Sequence, residues 1–368
     1  MQNTLLETDN FPEIYRILVI NTGSTSTKIA VFDGETEVTC CTINHSVDEL
    51  MKYETMMDQF ELRKKMILDV LHSKQIDLST INAVVGRGGF LKPMEGGTYK
   101  VNNKMLTDLR WGLRGEHASN LGGILADNIA QELNVLAYTV DPVVVDEMEE
   151  IARISGMPEI KRRSIFHALN QRAVARRAAK ELGKKYEEMN LIVVHLGGGI
   201  SIGVHREGRV IDVSNAFDGE GPFSPERSGG VPVGKLIELC FSGKLTMEEM
   251  HKKIVGKGGL MAYLGTYDGR EVRRRIAEGD TYAELIYKAM AYQIAKEIAA
   301  YAPVLYGKID VICITGGLAH DELLVGWIKE KIAFLGEVKV YPGEDEVRSL
   351  AEGVLRVLRG EEDVKEYC

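Results

Sequence analysis

Residues 16–38 read RILVINTGSTSTKIAVFDGETEV, and residues 191–213 read LIVVHLGGGISIGVHREGRVIDV. Each stretch opens with an apolar, β-rich run, passes through a turn of Gly, Ser or Thr, and enters a second apolar run. Each then meets a tight-turn signal, Asp33-Gly34 or Glu207-Gly208, before a third run. In the first copy the spacing predicts a strand over Arg16–Asn21, a turn over Thr22–Thr27 and a strand over Lys28–Phe32. Gly23 and Gly197 stand 174 residues apart, and so do Gly34 and Gly208. Two matching punctuation marks at one offset predict a duplicated domain, each copy beginning with a three-stranded meander.

Outward from these stretches the pattern turns helical. Gln171–Leu182 (QRAVARRAAKEL) is rich in Ala and Arg and stops at Gly183. Ile286, Met290, Ile294 and Ile298 recur every four residues, marking one apolar helix face that halts before Pro303. Asp310–Thr315 (DVICIT) reads as a buried strand closed by Gly316-Gly317, and Glu346–Leu358 reads as a helix. Strands alternating with helices predict an α/β fold, with mixed sheets because the meanders are antiparallel. The expected domains are residues 14–155 with the C-terminal helix 346–368, and residues 156–345. They are expected to face each other across an interdomain cleft, a usual place for a small-molecule site.

Composition narrows the function. The 368 residues are 45% apolar and 27% charged, enough to build two cores. A net charge of −9 argues against binding duplex nucleic acid, which needs a basic face. No apolar run reaches the ~18–20 residues of a membrane span. The five cysteines are odd in number and lack CxxC spacing, which disfavours a disulfide framework or a zinc site. Residues 1–12 carry neither a basic nor an apolar signal segment, so a cytoplasmic protein is expected.

A Gly/Ser/Thr turn between strands presents backbone N–H groups and hydroxyls to one side, a concavity that suits anions. Asn21-Thr22-Gly23-Ser24-Thr25-Ser26 is one such turn, and Gly197-Gly198-Gly199 followed by Ser201 is the other. No GxxxxGK[ST] P-loop occurs, and Ile202 stands where a dinucleotide fingerprint needs its third glycine. Lys28, just after the first turn, is placed to pair with a phosphate.

Through these loops and the motifs around them, the chain resembles the acetate/butyrate kinase family of the acetate and sugar kinase, Hsp70 and actin superfamily. The matching segments are INTGSTSTK (20–28), GEHASNLG (115–122), VDPVVVDEM (140–148), SIFHALNQ (164–171), HLGGGIS (195–201), PERSGGVP (225–232) and ITGGLAH (314–320). The resemblance implies duplicated ribonuclease H-like, actin-like ATPase domains. It also implies phosphoryl transfer between ATP and a short-chain carboxylate. A carboxylate is already ionised at pH 7, so the nucleophile needs no general base. The obstacle is repulsion between two anions, which cations and a divalent ion must relieve.

The same resemblance assigns roles. Arg227 touches the transferring phosphoryl group, His167 stabilises the transition state, and His117 lies near the phosphoryl group. Asp141 orients Arg or His side chains, or a metal-bound water, with Asp146 as its rival. Around the nucleotide and its phosphates stand Gly23, Ser24, Thr25, Ser26, Lys28, His195, Gly197, Gly198, Gly199 and the Thr315-Gly316-Gly317 turn. Asn21 and Glu346 lie near Mg²⁺. Acetate-type members carry an arginine on the strand that here holds Val84 and Val85, so the carboxylate role passes to Arg87. They also place an asparagine where this chain has Gly198. Both departures imply the butyrate-type branch: butanoate + ATP = butanoyl phosphate + ADP. Isobutyrate, or acetate and propionate, are the alternative acceptors, and an actin/Hsp70-like nucleotide switch is the reading from another class. A homodimer or higher homo-oligomer is implied as well.

Overall fold

The computed structural model describes residues 14–112, 117–215, 217 and 219–368. The polar extension before Arg16 lies almost wholly outside them, as do Gly115 and Glu116 of the GEHASNLG segment.

Both meanders form where the sequence places them. β1 (Arg16–Thr22), β2 (Ser26–Asp33) and β3 (Thr36–Asn44) pair antiparallel in succession. β4 (Ala83–Gly86) then joins β1 in parallel. With β5 (Thr98–Lys100) and β6 (Leu136–Val140) they belong to a seven-stranded sheet ordered β12-β5-β6-β4-β1-β2-β3, whose edge strand β12 is Lys365–Glu366. The second sheet repeats its core. β7 (Asn190–Leu196), β8 (Ile200–Arg206) and β9 (Arg209–Val213) form the meander, β10 (Val311–Gly316) pairs parallel to β7, and β11 (Val338–Pro342) follows. The 174-residue offset carries β1 onto β7, residue for residue. Each meander also slips register once, at Val31/Phe32 and at Val204/His205.

The turns differ in detail. In the first hairpin, Gly23 N donates to Ser26 O at 2.8 Å and Thr22 pairs with Thr27. Strand pairing therefore extends closer to the turn than residue types suggest, and β2 begins at Ser26 rather than Lys28. In the second hairpin Leu196 pairs with Ile200, so that loop is one residue shorter. Glu207 (φ 50°) and Gly208 (φ 82°) are both left-handed, the requirement of a two-residue type I′ hairpin.

Contacts divide the chain into two compact units. One comprises the residues up to Leu91, Gly97–Val140 and Val347–Cys368; the other comprises Lys92–Gly96 and Asp141–Glu346. The boundary drawn from sequence lies at residue 155, whereas packing changes at Val140/Asp141. Val145 and Met148 share a core with Phe166, Val210 and Val213, which draws this stretch into the second unit. In the first unit the helix Glu346–Leu358 buries Val347, Leu350, Ala351, Val354 and Leu355. Its Gly353 carbonyl accepts from Thr98 Oγ1 at 3.1 Å. In the second unit one face of the sheet packs Ile192, Val194, Ile202 and Ile314 against Tyr287, Met290, Ile294 and Ile298 of the helix Thr281–Tyr301. The other face packs Leu191, Val193 and Cys313 against Ala175, Ala178 and Ala179 of the helix Ala168–Glu181. Strands covered on both faces read as near-continuous apolar runs, which is why they are legible. All five cysteines are free thiols. Among the described residues no helix is long and apolar enough to cross a membrane.

Candidate active site

In the second unit the residues of interest gather at the C-terminal ends of β7 and β10, where open α/β sheets place their ligands. Thr315 pairs with His195 across these strands. His195 is buried, with Nδ1 2.7 Å from Asn170 Oδ1 and Nε2 3.0 Å from Glu344. His167, the residue before the helix Ala168–Glu181, stacks on the His195 ring with centroids 3.7 Å apart and planes 9° from parallel. Its Nδ1 lies 2.8 Å from Ser201 Oγ. The PERSGG loop is pinned to the glycine turn, since Ser224 Oγ donates to Gly198 O at 2.6 Å. Arg227 then reaches across the turn. A Cβ on Gly199 would stand 1.8 Å from Arg227 Nη1, so only glycine leaves room for the guanidinium. The same guanidinium lies 4.9 Å from the Phe217 ring centroid, and desolvation lowers its pKa, partly offset by Glu226. Gly316 has φ 93° and shares two backbone hydrogen bonds with Gly343, which shapes the turn that leads into Gly317.

Asp141 follows β6 with φ 39°, a left-handed conformation Asp tolerates better than most residues. Its buried carboxylate meets Arg172 Nε at 2.9 Å and Arg176 Nη1 at 3.3 Å. Arg172 also meets buried Glu147 at 3.1 Å, and Glu147 in turn accepts from Gly96 N and Val210 N. Asp146, the rival, is held by Arg153 at 2.7 Å.

In the first unit, Asn21 is the penultimate residue of β1 and accepts from Arg87 Nη1 at 3.4 Å. Arg87 follows β4 directly, and its N–H donates to Ile20 O at 3.0 Å. The helix Asn120–Leu133 comes very close here: a Cβ on Gly86 would stand 2.0 Å from Gly122 O. Lys28 is the cross-strand partner of Asn21 and is half-buried. His117 sets Nδ1 2.8 Å from Ser119 Oγ and meets the Phe90 ring edge-on at 5.5 Å. Desolvation by neighbouring atoms and then the Arg87 charge lower its pKa, although the side chain keeps solvent access. Ser24 and Thr25 are exposed at the tip of the turn, between partly buried Gly23 and Ser26. Glu346, the last residue of the second unit, opens the last helix. A surface cavity of about 470 Å³ between Met57, Phe60, Leu106, Arg110 and Ile124 contains none of these residues.

Sequence reasoning passed over several groups. Arg63 is fully buried on the helix Phe60–Ser73. It donates to the carbonyls of Gly23 (2.9 Å), Ser24 (2.9 Å) and Ser26 (3.2 Å). No local signal separates such an arginine from a solvated one. Arg172 and Arg176 were findable, because a spacing of four in an Ala-rich helix sets two cations on one face.

The Acetokinase family model matches residues 158–341. Butyrate kinase 1 of Clostridium acetobutylicum is 59% identical over 354 residues, covering 96% of this chain and 100% of that protein. Among solved structures, Porphyromonas gingivalis acetate kinase superposes with a TM-score of 0.78 at 21% identity, over 94% of this chain and 100% of that one. A propionate kinase from Francisella tularensis gives a TM-score of 0.71 at 21% identity, over 92% and 98% of the two chains. At such identities these two bear on the fold alone. The family match and the near-full-length butyrate kinase relative, carried on duplicated mixed sheets, define a phosphotransferase. The chain belongs to the acetokinase family.

Proposed function

We propose that this chain is a butyrate kinase, interconverting ATP + butanoate and ADP + butanoyl phosphate. One observation carries the reading: Arg227 lies against Gly199 of the glycine turn whose Gly197 lies against His195, the ring on which His167 stacks. Donors fixed around a glycine turn suit the spread charge of a transferring phosphoryl group. A carboxylate oxygen attacks the γ-phosphorus while the bond to the ADP oxygen breaks, and no proton changes hands. Arg227 and His167 are then transition-state contacts. The turn Gly197–Gly199, His195 and the Thr315–Gly317 turn hold the nucleotide. Gly23–Ser26 and Lys28 hold phosphate oxygens, His117 supports the phosphoryl group and Arg87 takes the carboxylate. Asp141 serves by gripping Arg172 and Arg176 rather than as a base.

The butyrate assignment draws support from the similarity to Clostridium acetobutylicum butyrate kinase 1, matched over its whole length. Among the described residues no group of three or more His, Cys, Asp or Glu side chains is arranged to hold a metal. A sparse set fits Mg²⁺, which keeps several waters and comes with the nucleotide; Asn21 and Glu346 offer it hard oxygens. When bound, Mg²⁺ neutralises phosphate charge. Free thiols at all five cysteines support a reducing cytoplasm. Exposed Ile237, Phe241 and Met247 support a self-associated homodimer or larger assembly.

The test is acyl-phosphate formation with butyrate, isobutyrate, propionate and acetate as acceptors. The highest kcat/KM is expected with butyrate. One methylene is worth ~1–3 kcal/mol in a pocket, so acetate should fall well behind. A preference for acetate rejects the assignment.

A further inference from the structure

A one-way chain of hydrogen bonds crosses the second unit from Tyr186 to His167, and a backbone carbonyl fixes its direction. Gln171 Nε2 lies 3.1 Å from Ser201 O. A carbonyl only accepts, so the amide NH₂ group faces Ser201 and Gln171 Oε1 faces His205 Nε2 at 3.3 Å. That nitrogen therefore carries a proton. His205 is fully buried, and desolvation followed by the charges of Arg172 and Arg176 holds its pKa well below the ordinary value. Its neutral ring leaves Nδ1 to accept from the Tyr186 hydroxyl at 2.7 Å. On the other side, Ser201 Oγ accepts from Gln171 Nε2 at 2.9 Å and from His167 N at 3.4 Å. With both lone pairs engaged, the serine proton goes to His167 Nδ1, 2.8 Å away.

We propose that Tyr186, His205, Gln171 and Ser201 are positioning residues that lock His167 as the tautomer protonated on Nε2. This inference rests on the reading that His167 faces the transferring phosphoryl group. The locked ring offers that group an N–H donor. The opposite tautomer would turn a lone pair toward an anion. Gly203 belongs to the device: a Cβ there would stand 2.3 Å from Gln171 Oε1 and 3.2 Å from His205 Nε2. A strand interior otherwise disfavours glycine.

Ring-¹⁵N histidine spectra of the full-length wild-type protein test the proposal without any substitution. Both His167 and His205 are expected to show an unprotonated Nδ1 and a protonated Nε2. His167 protonated on Nδ1 overturns it. Gln171→Met and, independently, Gly203→Ala should mix the His167 tautomers and lower kcat about 10²-fold with the KM for ATP little changed. Either variant that folds with an unaltered His167 spectrum contradicts the chain. The functional premise is judged apart, by His167→Ala. Wild-type kcat in that variant removes the premise, whatever the spectra show.

Discussion

At the scale of the residue, Asp141 shows how charge is spent in this fold. Its carboxylate is buried, sits on a left-handed backbone and holds two arginines. Asparagine tolerates the same backbone conformation, so Asp141→Asn removes charge without straining the chain. Losing one partner of a buried ion pair costs about 3–5 kcal/mol where nothing else compensates. Glu147 remains beside Arg172, so the loss in Asp141→Asn should fall at the lower end of that range. The rate should drop while the pH profile of kcat keeps its shape. Denaturant melts and a kcat–pH series check both halves. Disappearance of a basic limb would mean that the carboxylate moves a proton after all. The candidate residues were proposed from whole motifs, which fix several positions at once. Arg63, Gln171 and His205 were not, because their importance lies in contacts 30–40 positions away in the chain.

At the scale of the element, two hairpin turns are shaped from outside themselves. Arg63 supplies donors to three carbonyls of the first turn, and burial lowers its pKa. Arg63→Met should remove the guanidinium donor from the Gly23 and Ser24 carbonyls, while Ser26 O keeps Gly23 N, at about 1–3 kcal/mol of stability. Amide exchange at Gly23–Ser26 should quicken, and the KM for ATP should rise more than kcat falls. Unchanged exchange at these amides would detach the arginine from the turn. The second turn depends on a side chain it does not own. Gly199→Ala places a methyl where the Arg227 guanidinium lies, so it should reproduce the kcat loss of an Arg227 variant with the arginine still present. Kinetics of the two single variants and the double variant check this, since a shared cause makes their effects non-additive. Sequence alone showed both turns through their glycines and hydroxyls. It misplaced the start of β2 by two residues, because pairing of Thr22 with Thr27 decides that boundary and local propensity does not.

At the scale of the whole molecule, duplication was the most readable feature. Punctuation repeats at one offset, and buried strands have little freedom of composition. The division of residues 141–155 was not readable, since it depends on Val145 and Met148 packing against Phe166. Buried histidines tie the stability of the fold to pH. His205 is depressed below its ordinary value of 6.5, and so is His45, by desolvation and then by the Arg63 charge. Below pH 6.5 the unfolded chain binds protons that the folded chain refuses, so stability falls as pH falls. His205 alone contributes a slope of about 1.4 kcal/mol per pH unit there. Melting temperatures from pH 7.5 to 5.5 should decline, and more shallowly in His205→Asn. A flat profile in the parent protein would show that neither ring is held neutral.

The contribution of Arg227 decides more than any other quantity. Steady-state kinetics of Arg227→Ala with butyrate and ATP should show kcat lower by roughly 10²–10⁴-fold and the KM for ATP within a few-fold of wild type. An altered KM at full kcat would mean that the guanidinium serves binding alone, and the transition-state role given to this turn would be wrong.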